Sequence, residues 1–486
     1  MIHILTTTFW SNLFFGYTLV VMGCYLTLAI VSIVALRHYL RRNATTDYTD
    51  ILNSPLAPWV SLIAPAYNEE KTIVNNIRSL LSLTYNNYEI IVVNDGSKDH
   101  TLAVALEAYD MEPVDFEVNR LLSTESVRAV YKSRNPVYQR LLIVDKENGG
   151  KADALNVGIN VSNHDHIMCI DVDCVLSDDA LLKLVKPFLE QDHRKVIATG
   201  GVLRIANSCR VDQGRVVDTL VPRNWLSRAQ TLEYLRTFLL ARVAWSHLDG
   251  LILVSGALGI FDKAVVVTVG GYSRETVGED MELVIRMRRY MHEHQLPYRV
   301  AFVPDPLCWT ETPETLEIFQ RQRNRWTRGT IEALRTHRKM FLNPRYGRMG
   351  LLSYPYWLLL EWLAPLIEVA GFVLAIVLGV QGLIHWPFFL LMMVLVWFFS
   401  LAMTALTLFG EEITFRKYRR LSEVIRLFLI GSIEPFFFHP LVVYSAIRGN
   451  IDYFLGKRTA WGEMIRQGFS TSAPPAKEIY VVRSEG

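Results

Sequence analysis

No Cys-x-x-Cys pair occurs in this chain, and its five cysteines, Cys24, Cys169, Cys174, Cys209 and Cys308, are odd in number. Neither a disulfide framework nor a zinc site is suggested. The thiols read as reduced side chains of a cytosolic domain. A strong charge of either sign is also missing. Fifty Lys and Arg against 48 Asp and Glu leave a net charge of +2, so no global field is directed at nucleic acid. Charged residues make up 20% of the chain and apolar ones 51%, with a mean hydropathy of +0.19. That balance fits a soluble domain joined to membrane segments. The 486 residues are too many for one ordinary core.

Charge is absent altogether from Ile4 to Leu36. The densest part, Leu13 to Leu36, is long enough to span a bilayer once. No Lys or Arg precedes it and no small-residue cleavage site follows, so it reads as a membrane helix rather than a signal peptide. Arg37, Arg41 and Arg42 come next and place the following residues in the cytoplasm. A second apolar region, Leu351 to Gly410, is interrupted only by Glu361 and Glu368 and suits two spans, near Tyr356–Val380 and Pro387–Phe409. Acids in such spans either mark a pathway or pair with a neighbouring helix or the interface. The stretch Val424 to Ile447 contains Arg426, Glu434, Pro435 and His439. It either crosses once or dips in and returns around Glu434-Pro435. Lys457, Arg458 and Arg466 favour a cytoplasmic end.

Between these ends, Val/Ile-rich runs alternate with helical periodicity. "WVSLIAPAYNEE", "YEIIVVNDGS", "RLLIVDKENGG" and "HIMCIDVDCVL" read as strands with loops, each followed by a helical run. Continuous apolar strands separated by helices predict a mainly parallel, doubly wound α/β sheet. Ligands of such sheets sit beyond the carboxyl ends of the strands, where Asn68, Asp95, Asp171 and Asp173 fall. The helix after Asp173 is expected to take Ser177 as its cap.

Four stretches carry possible chemistry, each beside a plainer reading. Asp171 and Asp173 lie one residue apart, on one side of a regular strand, and suit Mg²⁺ or Mn²⁺ completed by substrate phosphates. They equally suit loop acids that cap turns. Gly149-Gly150-Lys151 lacks the Walker pattern, since Asp145 and Ala152 stand where it needs Gly and Ser or Thr. A Gly-Gly turn into a helix still suits a diphosphate, or is simply a turn with a solvated lysine. Glu279 and Asp280 sit at a helix N-terminus, where carboxylates are stabilised. Asp280 is placed either as a general base for a hydroxyl or as a cap. "QRQRNRWTRG", Gln320 to Gly329, reads as a solvated basic face, as a membrane rim, or as arginine on a leaving diphosphate with tryptophan against a sugar.

Taken in order, "APAYNEE", "VVNDGS", "GGKADALN", "DVD", "GED" and Gln322-x-x-Arg325-Trp326 resemble the membrane-integrated processive glycosyltransferases of family 2. Cellulose, hyaluronan, chitin-oligosaccharide and poly-N-acetylglucosamine synthases are its members. The resemblance covers roughly Trp59 to Arg328 and implies a GT-A-type fold, the mainly parallel sheet of nucleotide-diphospho-sugar transferases with helices on both faces. Transmembrane helices flank it at both ends. Residues 1–54 would be an N-terminal membrane helix and linker, 55–345 the cytoplasmic catalytic domain, 346–455 the C-terminal membrane helices and 456–486 a basic tail that closes over the donor. The location implied is a multi-pass protein of the cell membrane.

The roles implied follow the motifs. Ala66, Tyr67, Glu69 and Asp95 hold the uridine. Lys151 and Asp171 hold nucleotide and diphosphate, and Asp173 the metal, Mg²⁺ or Mn²⁺. Asp280 is the base, beside Glu279. Gly256, within "VSGALG", lies on the strip beside the acceptor sugar. Gln322, Arg325 and Trp326 line the acceptor and diphosphate site, which leaves Arg321, Arg323 and Arg328 as rim residues. The implied partners are a UDP-sugar, a growing polysaccharide or oligosaccharide, membrane lipid and accessory export or regulatory subunits, with no nucleic acid. UDP-N-acetylglucosamine is the first choice of donor and UDP-glucose the second. A non-processive lipid-linked sugar transferase and a transporter with a nucleotide-binding regulator are the alternatives. Asp110–Gln139 and Val211–Trp225 read as insertions.

Overall fold

The computed structural model describes residues 2–457, apart from 172, 173, 191, 213 and 419, with side chains from residue 9 onward. Among the described residues twelve strands form: β1 (Val60–Ala66), β2 (Tyr88–Asp95), β3 (Met111–Val114), β4 (Val127–Ser133), β5 (Leu141–Lys146), β6 (His166–Cys169), β7 (Val175–Leu176), β8 (Lys195–Ile205), β9 (Arg210–Asp212), β10 (Arg215–Asp218), β11 (Gly259–Asp262) and β12 (Tyr298–Thr310). Ten of them make one sheet in the order β3-β4-β5-β2-β1-β6-β11-β8-β12-β7.

The centre β5-β2-β1-β6 is parallel, as is β8 with β12. The sheet as a whole is mixed, because β11 enters antiparallel between β6 and β8, and β3-β4 and β7 add antiparallel edges. The sequence reading of a mainly parallel sheet holds for its core. Short β11 escaped it because four residues carry too little period to declare a direction. Neighbours along a strand face opposite layers. Leu62 and Ile90 pack under the helices Ile73–Leu81 and Ala180–Leu189, and Ile63 and Ile91 under α2 (Lys151–Val161). Both apparent insertions form hairpins. The first contains the edge pair β3-β4, and the second is largely β9-β10, whose Gly214 carbonyl accepts from Ser79 Oγ at 2.8 Å.

Helix α1 (Ile2–Asn43) leads into this domain and ends on Arg41 and Arg42. Beyond the sheet come α3 (Trp225–Leu235), continued by a π-helical turn Arg236–Arg242, then α4 (Glu279–Glu293) and α5 (Leu316–Thr336). The apolar helices follow: α6 (Ala364–Val380), α7 (Trp386–Thr414) and α8 (Leu421–Phe454). Among the described residues three helices, Phe9–Asn43, α7 and α8, are long and apolar enough to cross a membrane. A fourth span arises if Met349–Trp362 and α6, bent by 41°, count together.

One open alternative is decided and one expectation is corrected. Between the alternatives for Val424–Ile447, the chain takes one unbroken helix through Pro435 and Pro440. Prolines persist in such helices where neighbours satisfy the freed backbone groups. Ser177 does not cap its helix. Its hydroxyl donates to Asp179 Oδ1 instead, and the helix starts later, with Asp179 at the cap position and no side-chain capping bond.

The acids of the apolar helices all have partners. Glu361 accepts from Tyr356 Oη at 2.7 Å, Glu368 meets His439 Nε2 of α8 at 2.8 Å, and Glu434 meets Arg236 at 2.5 Å. A deeply buried pair joins the sheet to α7: Arg204 of β8 donates to Glu411, both almost fully buried. Removing one partner strands the other charge. Arg204→Ala is therefore expected to cost about 3–5 kcal/mol, read as a lower midpoint of thermal unfolding in detergent. Arg204→Ala with Glu411→Ala is expected to recover part of it.

Candidate active site

The donor side is built from loops at strand ends. Ala66 closes β1 and is buried, whereas Tyr67 projects into solvent. Asn68 takes φ +56°, and its Oδ1 accepts from Lys98 N at 2.9 Å. This ties the loop after β1 to the loop after β2. Glu69 Oε2 accepts from Thr72 Oγ1 at 2.6 Å. Asp95, at the end of β2, is nearly buried and turned toward its own chain. Its carboxylate accepts from Gly149 N at 3.0 Å, Gly150 N at 2.8 Å and the ammonium of fully buried Lys146. Asp95 thus shapes the Gly-Gly turn that delivers Lys151.

Lys151 opens α2 and meets the Asp171 carboxylate, with Glu279 3.9 Å away. Burial alone would depress the Lys151 ammonium, but Asp171 and Glu279 outweigh it and hold it well above the ordinary lysine range. Burial pushes the Glu279 carboxyl up, against Lys151 and together with the neighbouring charge of Asp280. Asp280 is aimed by two backbone donors: Gly256 N to Oδ2 at 3.0 Å and Met281 N to Oδ1 at 2.8 Å. A Cβ on Gly256 would lie 3.3 Å from Asp280 Oδ2 and 3.4 Å from Lys151 Nζ. Lys151, Asp171, Gly256, Glu279 and Asp280 therefore converge on one cleft. Asp173 lies outside the described residues, as does the tail from residue 458 onward.

The segment entering α4 is locked against α5. A Cβ on Gly329 would stand 2.7 Å from Gly278 Cα, so only two glycines permit this crossing. Glu332 Oε2 accepts from Thr276 Oγ1 at 2.8 Å and Val277 N at 2.9 Å, and His337 Nε2 lies 3.2 Å from Glu282 Oε1. The clamp sets Asp280 relative to the arginine-rich turns of α5. There Arg325 acts electrostatically on both Lys151 and Glu279. Gln322 is buried, with Oε1 lacking a hydrogen-bond partner among the described residues, and Trp326 is 39% exposed.

The rim assignment of the other arginines needs correction. Arg321 is exposed and pairs with Glu317 at 3.1 Å. Arg323 and Arg328 are buried. Arg323 grips Glu233 of α3 in two bonds of 2.6 and 2.5 Å and lies against the Phe319 and Trp326 rings, 4.9 and 4.4 Å from their centres. Helical spacing alone did not show that α3 would cover this face.

The sequence model described as glycosyltransferase-like family 2 matches residues 57–329, more than half of the chain. The chain belongs to this family. It is 29% identical over 278 residues to a poly-beta-1,6-N-acetyl-D-glucosamine synthase of Staphylococcus epidermidis, covering 57% of this chain and 55% of that one. Against the synthase of that name from Staphylococcus aureus (strain COL) it is 26% identical over 301 residues, 62% and 60% of the two chains. The chain thus spans little more than half the length of these relatives. A mannosyltransferase from Pyrobaculum calidifontis, solved with GDP-Man and Mn2+, superposes with a TM-score of 0.50 at 16% identity, over 90% of this chain and 100% of that one. It shares the fold, GT-A.

Around the site of this family 2 domain stand residues that motif reading passed over: Glu233, Glu332 and Arg242. Arg242 ends the π-helical turn, a feature concentrated at functional sites, and lies over the Phe238 ring at 4.1 Å. Burial draws its guanidinium down to about 10, against the pull of Asp280. The only sequence signal was a pair of arginines, Arg236 and Arg242, in an apolar run. Overpacking the crossing tests the clamp. Gly329→Val is expected to cost about 1–3 kcal/mol, measured as a lower melting temperature. Gly410→Val, with nothing within 4 Å of its Cβ, is expected to leave it unchanged.

Proposed function

We propose that this family 2 protein catalyses inverting, processive transfer of a sugar from a UDP-sugar to a growing β-linked polysaccharide and exports the product across the membrane. N-acetylglucosamine is the donor sugar favoured, in keeping with the two staphylococcal synthases it resembles. One observation carries the reading. Asp280, oriented by Gly256 N–H, stands beside Lys151 and Glu279, in the electrostatic reach of Arg325 on a helix docked to the last membrane helix. The docking is direct: Asn324 Nδ2 donates to Asp452 of α8 at 2.8 Å, and Gly449 of α8 lies against Thr327.

Asp280 takes the proton of the acceptor hydroxyl as its oxygen attacks the anomeric carbon. The bond from that carbon to the diphosphate oxygen breaks, and UDP leaves with the electron pair. Attack opposite the leaving group inverts the centre. Lys151 and Arg325 stabilise the charge growing on the diphosphate. Trp326 and Gln322 bind the acceptor sugar, and Ala66, Tyr67, Glu69 and the wall formed by Asp95 receive the uridine. Asp173 would hold Mg²⁺ or Mn²⁺, with Asp171 near it in sequence on the nucleotide and diphosphate. The donor set fits, since such ions take one or two carboxylates together with substrate phosphates, and Asp171 lies partly open at a strand end. When bound, the ion would add positive charge beside the diphosphate. Arg37, Arg41 and Arg42 support a cytoplasmic catalytic domain over residues 55–345, flanked by membrane helices within 1–54 and 346–455.

Membranes containing the protein, supplied in turn with different UDP-sugars and Mg²⁺ or Mn²⁺, are expected to release UDP and make long polymer, most with UDP-N-acetylglucosamine. One-sugar products, or flux without UDP release, would reject the reading. Asp280→Asn is expected to lower polymer synthesis at least about 100-fold with UDP binding nearly intact; an active variant ends the assignment. Arg325→Ala is expected to reduce the rate about 10²–10³-fold, and exposed Arg321→Ala to leave it within a factor of two or so.

A further inference from the structure

Between Glu332 and Glu361 the chain has no acidic residue, yet it carries Arg335, Arg338, Lys339, Arg345 and Arg348. Among the described residues none of these five makes an ion pair. Arg335 donates only to Tyr453 Oη, at 3.1 Å. Beneath Arg335 and Arg338 lies an open groove of about 490 Å³, between the end of α5, the bent segment before α6 and the end of α8. Its walls are apolar, with Ile331, Leu334, Leu358 and Phe454 among them. Beside it Leu342, Leu351, Leu352 and Leu359 are exposed. In water, such a surface keeps apolar area hydrated at a cost. An apolar trough under a row of unpaired cations is the arrangement that suits the boundary between acyl chains and headgroups.

We propose that this groove is a binding site for one membrane glycerophospholipid with an anionic headgroup. An acyl chain lies along Ile331, Leu334 and Leu358, and the phosphate sits between Arg335 and Arg338. The groove volume lies within the range of small-molecule sites, and the charge selects against a zwitterionic lipid. The chain's own residues 458–486 are the rival occupant, since they follow Phe454 closely. They bring Arg458, Arg466, Lys477 and Arg483 against Glu463, Glu478 and Glu485, a net cation facing a cationic rim. One wall of the groove is α5, the helix that carries Gln322, Arg325 and Trp326, so an occupied groove would brace that helix from its far end. The proposal does not depend on the sugar-transfer reading.

The full chain, purified and placed in phosphatidylcholine nanodiscs doped with phosphatidylglycerol bearing a photoactivatable acyl chain, tests it. Crosslinks are expected on the peptides containing Ile331–Leu334 and Leu358. The double variant Arg335→Gln, Arg338→Gln is expected to cut them roughly tenfold, and the corresponding Lys variant to retain them, which separates loss of charge from misfolding. The same photoactivatable chain on phosphatidylcholine is expected to label no better than the Gln variant. Equal labelling by both lipids, or undiminished labelling of the Gln variant, overturns the proposal. So does labelling that appears only after truncation at Lys457, which would make the tail the occupant.

Discussion

Gly278 and Gly329 bring two backbones into contact, and the rest of the catalytic arrangement follows from that approach. With a side chain at either position the entry to α4 would be pushed off α5. At contact, Glu332 reaches Thr276 and Val277, and Glu282 reaches His337. Asp280 then stands at a set distance from the turns of α5 that hold Gln322, Arg325 and Trp326. The same helix continues the chain of contact outward through Asn324 to Asp452. The candidate site and the long apolar helices are thereby tied to one rigid element.

Buried charges give this assembly its register. Arg323 with Glu233, Arg204 with Glu411 and Arg236 with Glu434 each join the sheet domain or its covering helix to α5, α7 or α8. Pairs of this kind gain little net stability, because desolvation offsets attraction. Their geometry nevertheless admits one partner each, and a helix displaced by one turn would leave two charges unpaired in an apolar setting. The π-helical turn between Glu233 and Arg242 belongs to the same device, since it directs Arg236 to Glu434 of α8 while Arg242 stays in the field of Asp280.

Much of this was legible in the chain. Val60–Ala66, Tyr88–Asp95 and Leu141–Lys146 are apolar along nearly their whole length, and such runs declare parallel central strands without help from neighbours. Lys151, Asp171, Glu279 and Asp280 were nominated separately and converge, because strand ends in a doubly wound sheet share one edge. For Asp95 the structure adds bonds from Gly149, Gly150 and Lys146 to its carboxylate, which its motif did not show. A strand-end aspartate looks alike in sequence whether it faces ligand or loop. Arg323 misled for a related reason: a basic residue on an amphipathic helix reads as solvated unless the element that covers it is known.

By itself the sequence determined the local elements, the apolar spans with their charged flanks, and the ordered motifs that identify family 2, since each is written in periodicity or spacing over a few residues. Tertiary structure alone decided which arginine of "QRQRNRW" is buried, which way β11 runs, that α8 continues through two prolines, and that Glu233, Glu332 and Arg242 surround the site. Those outcomes depend on distant partners, such as Arg323 and Glu233, |i−j| = 90. A contact between distant residues leaves no period in either neighbourhood, because its energy exists only once both surfaces have met.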